Sequence, residues 1–337
     1  MIAEADRVID LLVGSYGECL SNGTLPADLN ASITSLLHKA GPRNLLSNYR
    51  PISVCSVYYK ILARCLADAL QTALPWLVDH AQVACQEGKS CFANTRYIQD
   101  IMHYCNTHQH PGLLLFCDAA KAFDRVNHAY LLQTMKVMGI PPAFREIFTL
   151  LLTNATTRVK INGYLGNPVA LLNGVRQGDP CAPLAFLLSI QPLLSMLRLS
   201  SHGPVSVPTA AGGPVDCQLA GIQIPAPDGA GTTTEITAAM ADDVAVALRD
   251  AVQLPHFKLI LDCHERASGG KNNWDKTYGI RLGSLATSTY LPPGWDPRHV
   301  DFSQDPVRYP VPRDLPRLSR RCVLRRWYRD ATDAADR

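Results

Sequence analysis

Apolar residues recur along this chain with two periods, and each change of period marks a change of element. Within residues 1–40, Ile9, Leu11 and Leu12, and later Ile33, Leu36 and Leu37, fall at helical spacing and are separated by Gly23 and Pro26. Two helices are therefore expected, the second followed by Lys39 and Gly41. Pro51 biases Arg50 toward an extended backbone, and Ile52 and Val54 then suggest a strand. Tyr58, Ile61, Leu62, Leu66, Leu70 and Leu74 define an amphipathic helix over residues 57–78 that ends near Pro75. Residues 113–116, Leu-Leu-Leu-Phe, followed by Cys117, read as a short strand buried on both faces that delivers a carboxylate, Asp118, at its C-terminal edge. A helix carrying Tyr130, Leu131, Met135 and Met138 closes at Gly139, and Pro141-Pro142 opens another through Leu152. Residues 158–161, Asn162-Gly163 and residues 169–172 predict a hairpin, and a helix is expected from Pro183 to about Leu197. Residues 200–234, rich in Gly, Pro, Ala and Thr, are expected to form an irregular insertion. Residues 236–248 are two short apolar runs around Ala241-Asp242-Asp243, a hairpin with two adjacent acids at its tip.

With 337 residues and 47% hydrophobic content the chain can bury a sizeable core as one large domain or two, which excludes a disordered class. A net charge of +3 is nearly balanced, so any basic groove must arise from local arrangement. Eleven cysteines form no CxxC pair and are odd in number, as expected of reduced thiols in an intracellular protein. No charged-then-apolar leader opens the sequence, and its apolar runs fall short of a membrane span, so a soluble chain without a membrane partner is expected. The Asn-x-Ser/Thr triplets at Asn22, Asn30 and Asn154 are most simply chance, and the oligomeric state stays open.

Asp118 and the Asp242-Asp243 pair are far apart in sequence and could meet only through the fold. Clustered carboxylates repel unless a cation neutralises them, and oxygen-only ligands favour a hard ion, magnesium or manganese. An Asp-Asp pair alone reads more simply as a solvated turn, and Arg50 alone as a surface salt bridge. Their company changes the weighting. Residues 116–126, Phe-Cys-Asp-Ala-Ala-Lys-Ala-Phe-Asp-Arg-Val, and residues 240–244, Met-Ala-Asp-Asp-Val, resemble the two catalytic motifs of non-LTR retrotransposon (long interspersed element) reverse transcriptases. There F-x-D-x-x-K-A-F-D is followed by an aromatic-Ala-Asp-Asp hairpin. Gly174-Val175-Arg176-Gln177-Gly178-Asp179-Pro180 resembles the family's G-x-x-Q-G-D-P, with Ala182 in place of its Ser.

The resemblance implies a role for each matching residue. Asp118, Asp242 and Asp243 would hold two magnesium or manganese ions for transfer of a nucleotide from a dNTP to a primer 3′-hydroxyl. Phe123 matches the aromatic gate against a ribose 2′-hydroxyl, and Asp124 would orient the turn. Gln177 and Gly178 would pack against the nascent base pair and template, while Lys39 and Arg50 would contact the incoming triphosphate. Met240 replaces the hairpin aromatic, keeping an apolar contact without ring stacking. Gln86-Glu87-Gly88-Lys89-Ser90 resembles the segment Gln-x-Gly-Phe-x-x-x-Arg-Ser without its aromatic, which makes Lys89 either a template-backbone contact or a solvated loop lysine. Lys276, in a segment similar to Ser-Gly-Leu-x-x-Asn-x-x-Lys, would donate a proton to the leaving pyrophosphate.

The expected fold is α+β, a right-hand polymerase with fingers over residues 1–110 and a palm with an antiparallel sheet over residues 111–283. RNA template, DNA primer and dNTP would be its partners. Beyond residue 283 prolines crowd the sequence and residues 313–329 are strongly basic, so the tail, 284–337, is expected to be disordered and the thumb missing or degenerate. Val307-Arg308-Tyr309 begins like the family's primer grip but continues with Pro310. An isolated chain of this kind is expected to extend primers weakly. The alternative is a catalytically inactive retrotransposon remnant that at most binds RNA.

Overall fold

Hydroxyl-bearing residues, rather than aliphatic ones, organise the first sheet. In the computed structural model, which describes residues 2–225, 232–293, 295 and 301–302, residues Ala31–His38 form a strand and not the expected second helix. Its inward positions are Ser32 and Thr34, 4% and 6% exposed, whereas Ile33 and Leu37 point outward at 39% and 57%. Apolar spacing therefore read the outer face of a strand as the inner face of a helix. The strand pairs antiparallel with Tyr49–Cys55 and parallel with Thr156–Ile161. Across these strands Thr34 Oγ1 lies 3.0 Å from Ser53 Oγ and 2.7 Å from Thr157 Oγ1, so the buried hydroxyls satisfy one another.

The chain divides into two compact units: Met1–Leu77 with Phe123–Ser189, and Val78–Ala122 with Ile190–Arg337. The hydroxyl-centred sheet belongs to the first. Thr156–Ile161 turns back through Asn162 and Gly163, both at positive φ (50° and 88°) as a type I′ hairpin requires, into Tyr164–Leu165. Val169–Ala170 pairs with the same strand. Helices Ile2–Asn22, Val57–Leu77, His128–Val137 and Pro142–Leu152 complete the unit, with Asn127 capping the third through the Tyr130 amide and Pro142 opening the fourth.

The second unit is built on a sheet whose strands run, from edge to edge, Thr237–Met240, Asp243–Leu248, Gly112–Asp118, Tyr278–Leu282 and Asp301–Phe302. Successive pairs are antiparallel except the last, which is parallel. Its central strand is buried along nearly its whole length, as an apolar run without alternation demands. Leu114, Phe116, Ala245, Ala247 and Ile280 pack with Ile98, Ile101 and Met102 of helix Cys91–His108, which the sequence reading did not anticipate. Burying the ring of Phe116 stabilises the unit by about 1.5–3 kcal/mol. Leu113, Leu115, Val244 and Val246 alternate onto the opposite face and are equally buried. Helix Leu254–Ser268 follows, closed by Gly269 at φ 74°.

Two further expectations change. Residues 200–234 are not irregular: Val205–Pro208 pairs with Pro214–Cys217, and Ile222–Pro225 with Thr232–Glu235. Backbone ladders hold these ribbons, and Val207, Cys217, Leu219 and Ile222 supply enough burial, at most 1% exposed, to fix them. Helix Ala182–His202 extends beyond Leu197 and is, by length and composition, long and apolar enough to cross a membrane, yet 67% of its apolar window is buried in the protein. It reads as a core helix. The basic stretch at residues 313–329 and Val307-Arg308-Tyr309 lie outside the described residues.

Thr34→Val keeps the shape of the side chain while leaving the Ser53 and Thr157 hydroxyls without their shared partner. Denaturant unfolding should register a loss of about 1–3 kcal/mol at unchanged slope. An unchanged midpoint would mean that the hydroxyl network does not hold this sheet.

Candidate active site

In the second unit, strand register decides which carboxylates meet. Asp243 pairs with Asp118 across the central ladder, and Met240 pairs with Asp243, so Ala241 and Asp242 are the two loop residues of the hairpin. Ala241 has φ 55° and Asp242 is not among the positive-φ residues, the pattern of a type II′ turn. That conformation normally selects glycine, and an alanine held in it costs about 1–2 kcal/mol. Asp243 is 6% exposed, whereas Asp242 is half-buried beside it.

Asp118 is held from the other side by residues 271–276. Asn273 N–H donates to the Asp118 carbonyl at 2.7 Å, and Ala120 N–H donates to the Lys271 carbonyl at 2.8 Å. This backbone pairing brings Lys276 Nζ to 3.2 Å from Asp118 Oδ2, with Asn273 Nδ2 donating to the same oxygen at 3.4 Å. The Lys276 and Asp118 side chains are 48% and 26% exposed, so the ion pair is worth at most about 1 kcal/mol. Its use is local charge balance. The thiol of Cys117 is pushed up to about 12, chiefly by burial and secondarily by the Asp118 charge, and so stays neutral beneath the site.

These donors are oxygens of the kind that hold a hard cation. Among the described residues no three acidic, His or Cys side chains are gathered into one ready coordination set. With Lys276 against Asp118, a divalent ion would take over a charge-balancing place that the ammonium now fills.

In the first unit the loop at Gln177 is fixed by close backbone packing. Ser53 N–H donates to the Gln177 carbonyl at 2.7 Å, and a Cβ on Gly178, at φ 110°, would stand 2.7 Å from the Ser53 carbonyl oxygen. Close packing against the neighbouring strand thus requires a glycine at 178. Gly174 is required in the same way, since its Cβ would stand 2.8 Å from the Asp124 carbonyl oxygen. Between these glycines Arg176 is buried, its guanidinium 4.7 Å from the centre of the Tyr59 ring and bonded to Asn30 Oδ1. Tyr59 donates to Asp179, whose carboxyl is pushed up by burial and drawn back by that bond, the Cys181 N–H and Arg176. The Phe123 ring stacks on Phe186 at 5.2 Å and 21° and remains half-buried. Lys39 and Arg50 are exposed near one end of their strand pair, where Leu37 is opposite Arg50.

The exposed Lys89 closes its own loop: its ammonium donates to the carbonyls of His80 and Gln82 at 3.1 and 3.3 Å, and burial lowers its pKa. The sequence reading missed Arg176, Asn273 and Gln82. Seven residues before Lys89, where the Gln-x-Gly-Phe-x-x-x-Arg-Ser spacing places its glutamine, stands Gln82 and not Gln86.

The family model described as Reverse transcriptase (RNA-dependent DNA polymerase) matches residues 37–309, beyond residue 283 and through Val307-Arg308-Tyr309. The Transposon TX1 uncharacterized 149 kDa protein of Xenopus laevis is 30% identical over 317 residues, 92% of this chain and 22% of that protein. The Pol polyprotein from the type-2 retrotransposable element R2DM of Drosophila melanogaster is 27% identical over 175 residues, 52% of this chain and 16% of its own length. The chain thus spans about a fifth of the length of these relatives. Among solved structures, a Candida tropicalis telomerase in complex with a TWJ fragment of telomeric RNA has a TM-score of 0.53 at 12% identity, over 90% of this chain and 49% of that one. Apo telomerase from the same organism, truncated from its C-terminal domain, gives 0.52 at 13%, over 77% of this chain and 51% of that one. Identity this low speaks to the fold alone, and the α+β fingers-and-palm class expected from the sequence is the one observed.

Two glycines at positive φ separate strain from crowding. Gly88, at φ 75°, has nothing within 4 Å of an added Cβ, so Gly88→Ala should cost only about 1–2 kcal/mol. Gly178→Ala adds the collision with Ser53 and should cost about 2–5 kcal/mol by denaturant unfolding. Equal losses would mean that the loop is not seated against the strand.

Proposed function

We propose, for a chain that belongs to the reverse transcriptase (RNA-dependent DNA polymerase) family, that it catalyses RNA-templated transfer of nucleotides from dNTPs to a primer 3′-hydroxyl. The observation that carries this reading is the register that sets Asp118 opposite Asp243 with Asp242 on the adjoining turn. Two carboxylates on adjacent strands are a poor arrangement for stability and a useful one for holding divalent cations, which this family uses.

Asp118 and Asp242, with Asp243 beside them, would hold magnesium or manganese. A divalent ion bound there supplies Lewis-acid activation of the primer hydroxyl and neutralises charge on the leaving pyrophosphate. Lys276 carries the proton that the leaving group needs, and its contact with Asp118 keeps the ammonium beside the carboxylates until substrate arrives. Asn273, bonded to the same carboxylate, orients it. In the first unit Lys39 and Arg50 are assigned to the triphosphate, where a guanidinium grips two oxygens and an ammonium acts as a point charge. Phe123, backed by Phe186, is assigned to excluding a ribose 2′-hydroxyl, because a ring supported on one side resists displacement. Gln177 and Gly178 are assigned to the nascent base pair and template.

Oligo(dT) on poly(rA) tests the reaction. With magnesium or manganese the chain should extend the primer, and Asp242→Asn should lower the rate on the order of a thousandfold, since charge stabilisation by a metal is worth several kcal/mol. Extension unaffected by Asp242→Asn, or RNA binding with no extension under either metal, would favour the non-catalytic alternative.

Phe123→Ala should admit ribonucleotides, with the preference for dNTP falling by about ten- to a hundredfold in single-nucleotide incorporation. Unchanged discrimination would remove Phe123 from that role.

A further inference from the structure

The strained turn that presents Asp242 has a dedicated holder. Gln82 is fully buried, and both ends of its carboxamide face Ala241. Ala241 N–H donates to Gln82 Oε1 at 2.8 Å, and Gln82 Nε2 donates to the Ala241 carbonyl at 3.3 Å. Both backbone groups of the one residue at positive φ in the turn are therefore taken by one side chain. An apolar residue would fill a buried position without this desolvation, so a buried amide here has to be explained by what it binds.

The holder is itself anchored. Residues 81–83 lie along the Thr237–Met240 edge strand: Val83 N–H donates to Ala239 at 3.0 Å, and Ala239 N–H donates to Ala81 at 2.9 Å. Asn94 Nδ2 donates to the carbonyls of both Ala81 and Ala239, at 3.2 and 2.9 Å, riveting the added segment to the sheet edge. Asp79, whose side chain is wholly buried, pairs with Arg198 at 2.8 Å and accepts from the Ala81 N–H at 3.0 Å. Gln191 Oε1 accepts from the Asp79 N–H at 2.7 Å. Polar contacts from helix Ala182–His202 thus reach the hairpin tip through Asp79 and Gln82, independently of the ladder that pairs Asp243 with Asp118.

We propose that Gln82 is a positioning residue that locks the Ala241 turn and thereby sets where the Asp242 carboxylate stands. The catalytic consequence rests on the polymerase reading of Asp242; the structural consequence does not. Without the clamp, Ala241 would relax toward negative φ, and Asp242 would sample positions away from Asp118.

Amide hydrogen exchange over residues 240–244 tests the clamp directly in the full chain. Gln82→Leu removes both bonds to Ala241, together with the one that Oε1 accepts from the Ala84 N–H at 3.1 Å, and Gln82→Glu keeps the size and the acceptor but loses the donor. Each should speed exchange at Ala241 and Asp242 on the order of tenfold or more, while amides of Gly112–Asp118 keep wild-type protection. In primer extension both variants should lower kcat at unchanged KM for dNTP, and Ala241→Gly, which needs no clamp to hold positive φ, should recover most of the loss in Gln82→Leu. Wild-type exchange at residues 240–244 in both variants overturns the proposal whatever the activity. Accelerated exchange in a chain whose wild type and Asp242→Asn are equally inactive upholds the clamp and removes the polymerase reading instead.

Discussion

Like charges placed on neighbouring strands are the constraint around which the second unit is arranged. The ladder between Gly112–Asp118 and Asp243–Leu248 is fixed by its apolar residues, and a slip of one position would turn Leu113, Leu115, Val244 and Val246 onto the opposite face. Hydrophobic register therefore forces Asp118 and Asp243 together at the ladder's end, at a cost that Coulomb repulsion sets and a cation must offset. In the chain alone that cation is Lys276, delivered by the backbone pairing of residues 271–273 with residues 118–120. Core packing and site electrostatics are thus one arrangement, because the residues that bury the strand also decide where its carboxylate stands.

The first unit meets a different demand, seating a glycine-bounded loop with almost no freedom. Ser53 accounts for the glycine at 178 and Asp124 for the one at 174, and between them Arg176 is buried on Tyr59 and Asn30. A buried guanidinium is tolerable only when its donors are occupied, and its gain is specificity of the loop's path. Satisfied polar groups recur in this unit's sheet, where Thr34, Ser53 and Thr157 meet. Both features place polar residues where hydropathy expects apolar ones.

That placement explains what the sequence disclosed and what it hid. The apolar strand before Asp118, the acidic hairpin and the proline-opened helices were legible, because burial there is carried by aliphatic residues with clear period or run length. The strand Ala31–His38 was misread as a helix because its buried face is Ser and Thr and its exposed face is Ile and Leu. The ribbons within residues 205–235 were hidden because, beside their backbone ladders, only a few scattered side chains such as Val207, Cys217 and Ile222 are buried, too few to set a period. At the site, acids and the lysine were nameable from motif spacing. Asn273 and Gln82 were not, since an amide's role depends on which backbone group it meets. The two carbonyls that Lys89 meets are likewise brought within reach only by the folded loop.

On the proposed function, Asp118 and Asp242 together would hold a divalent cation, and that cation would displace Lys276 from its ion pair. Manganese binding followed by electron paramagnetic resonance, in the full chain without nucleic acid, tests it most directly. Wild type should bind with an affinity that Asp118→Asn and Asp242→Asn each reduce on the order of tenfold or more and that Lys276→Met raises, because the competing ammonium is gone. Manganese binding indifferent to both aspartate substitutions would contradict the account.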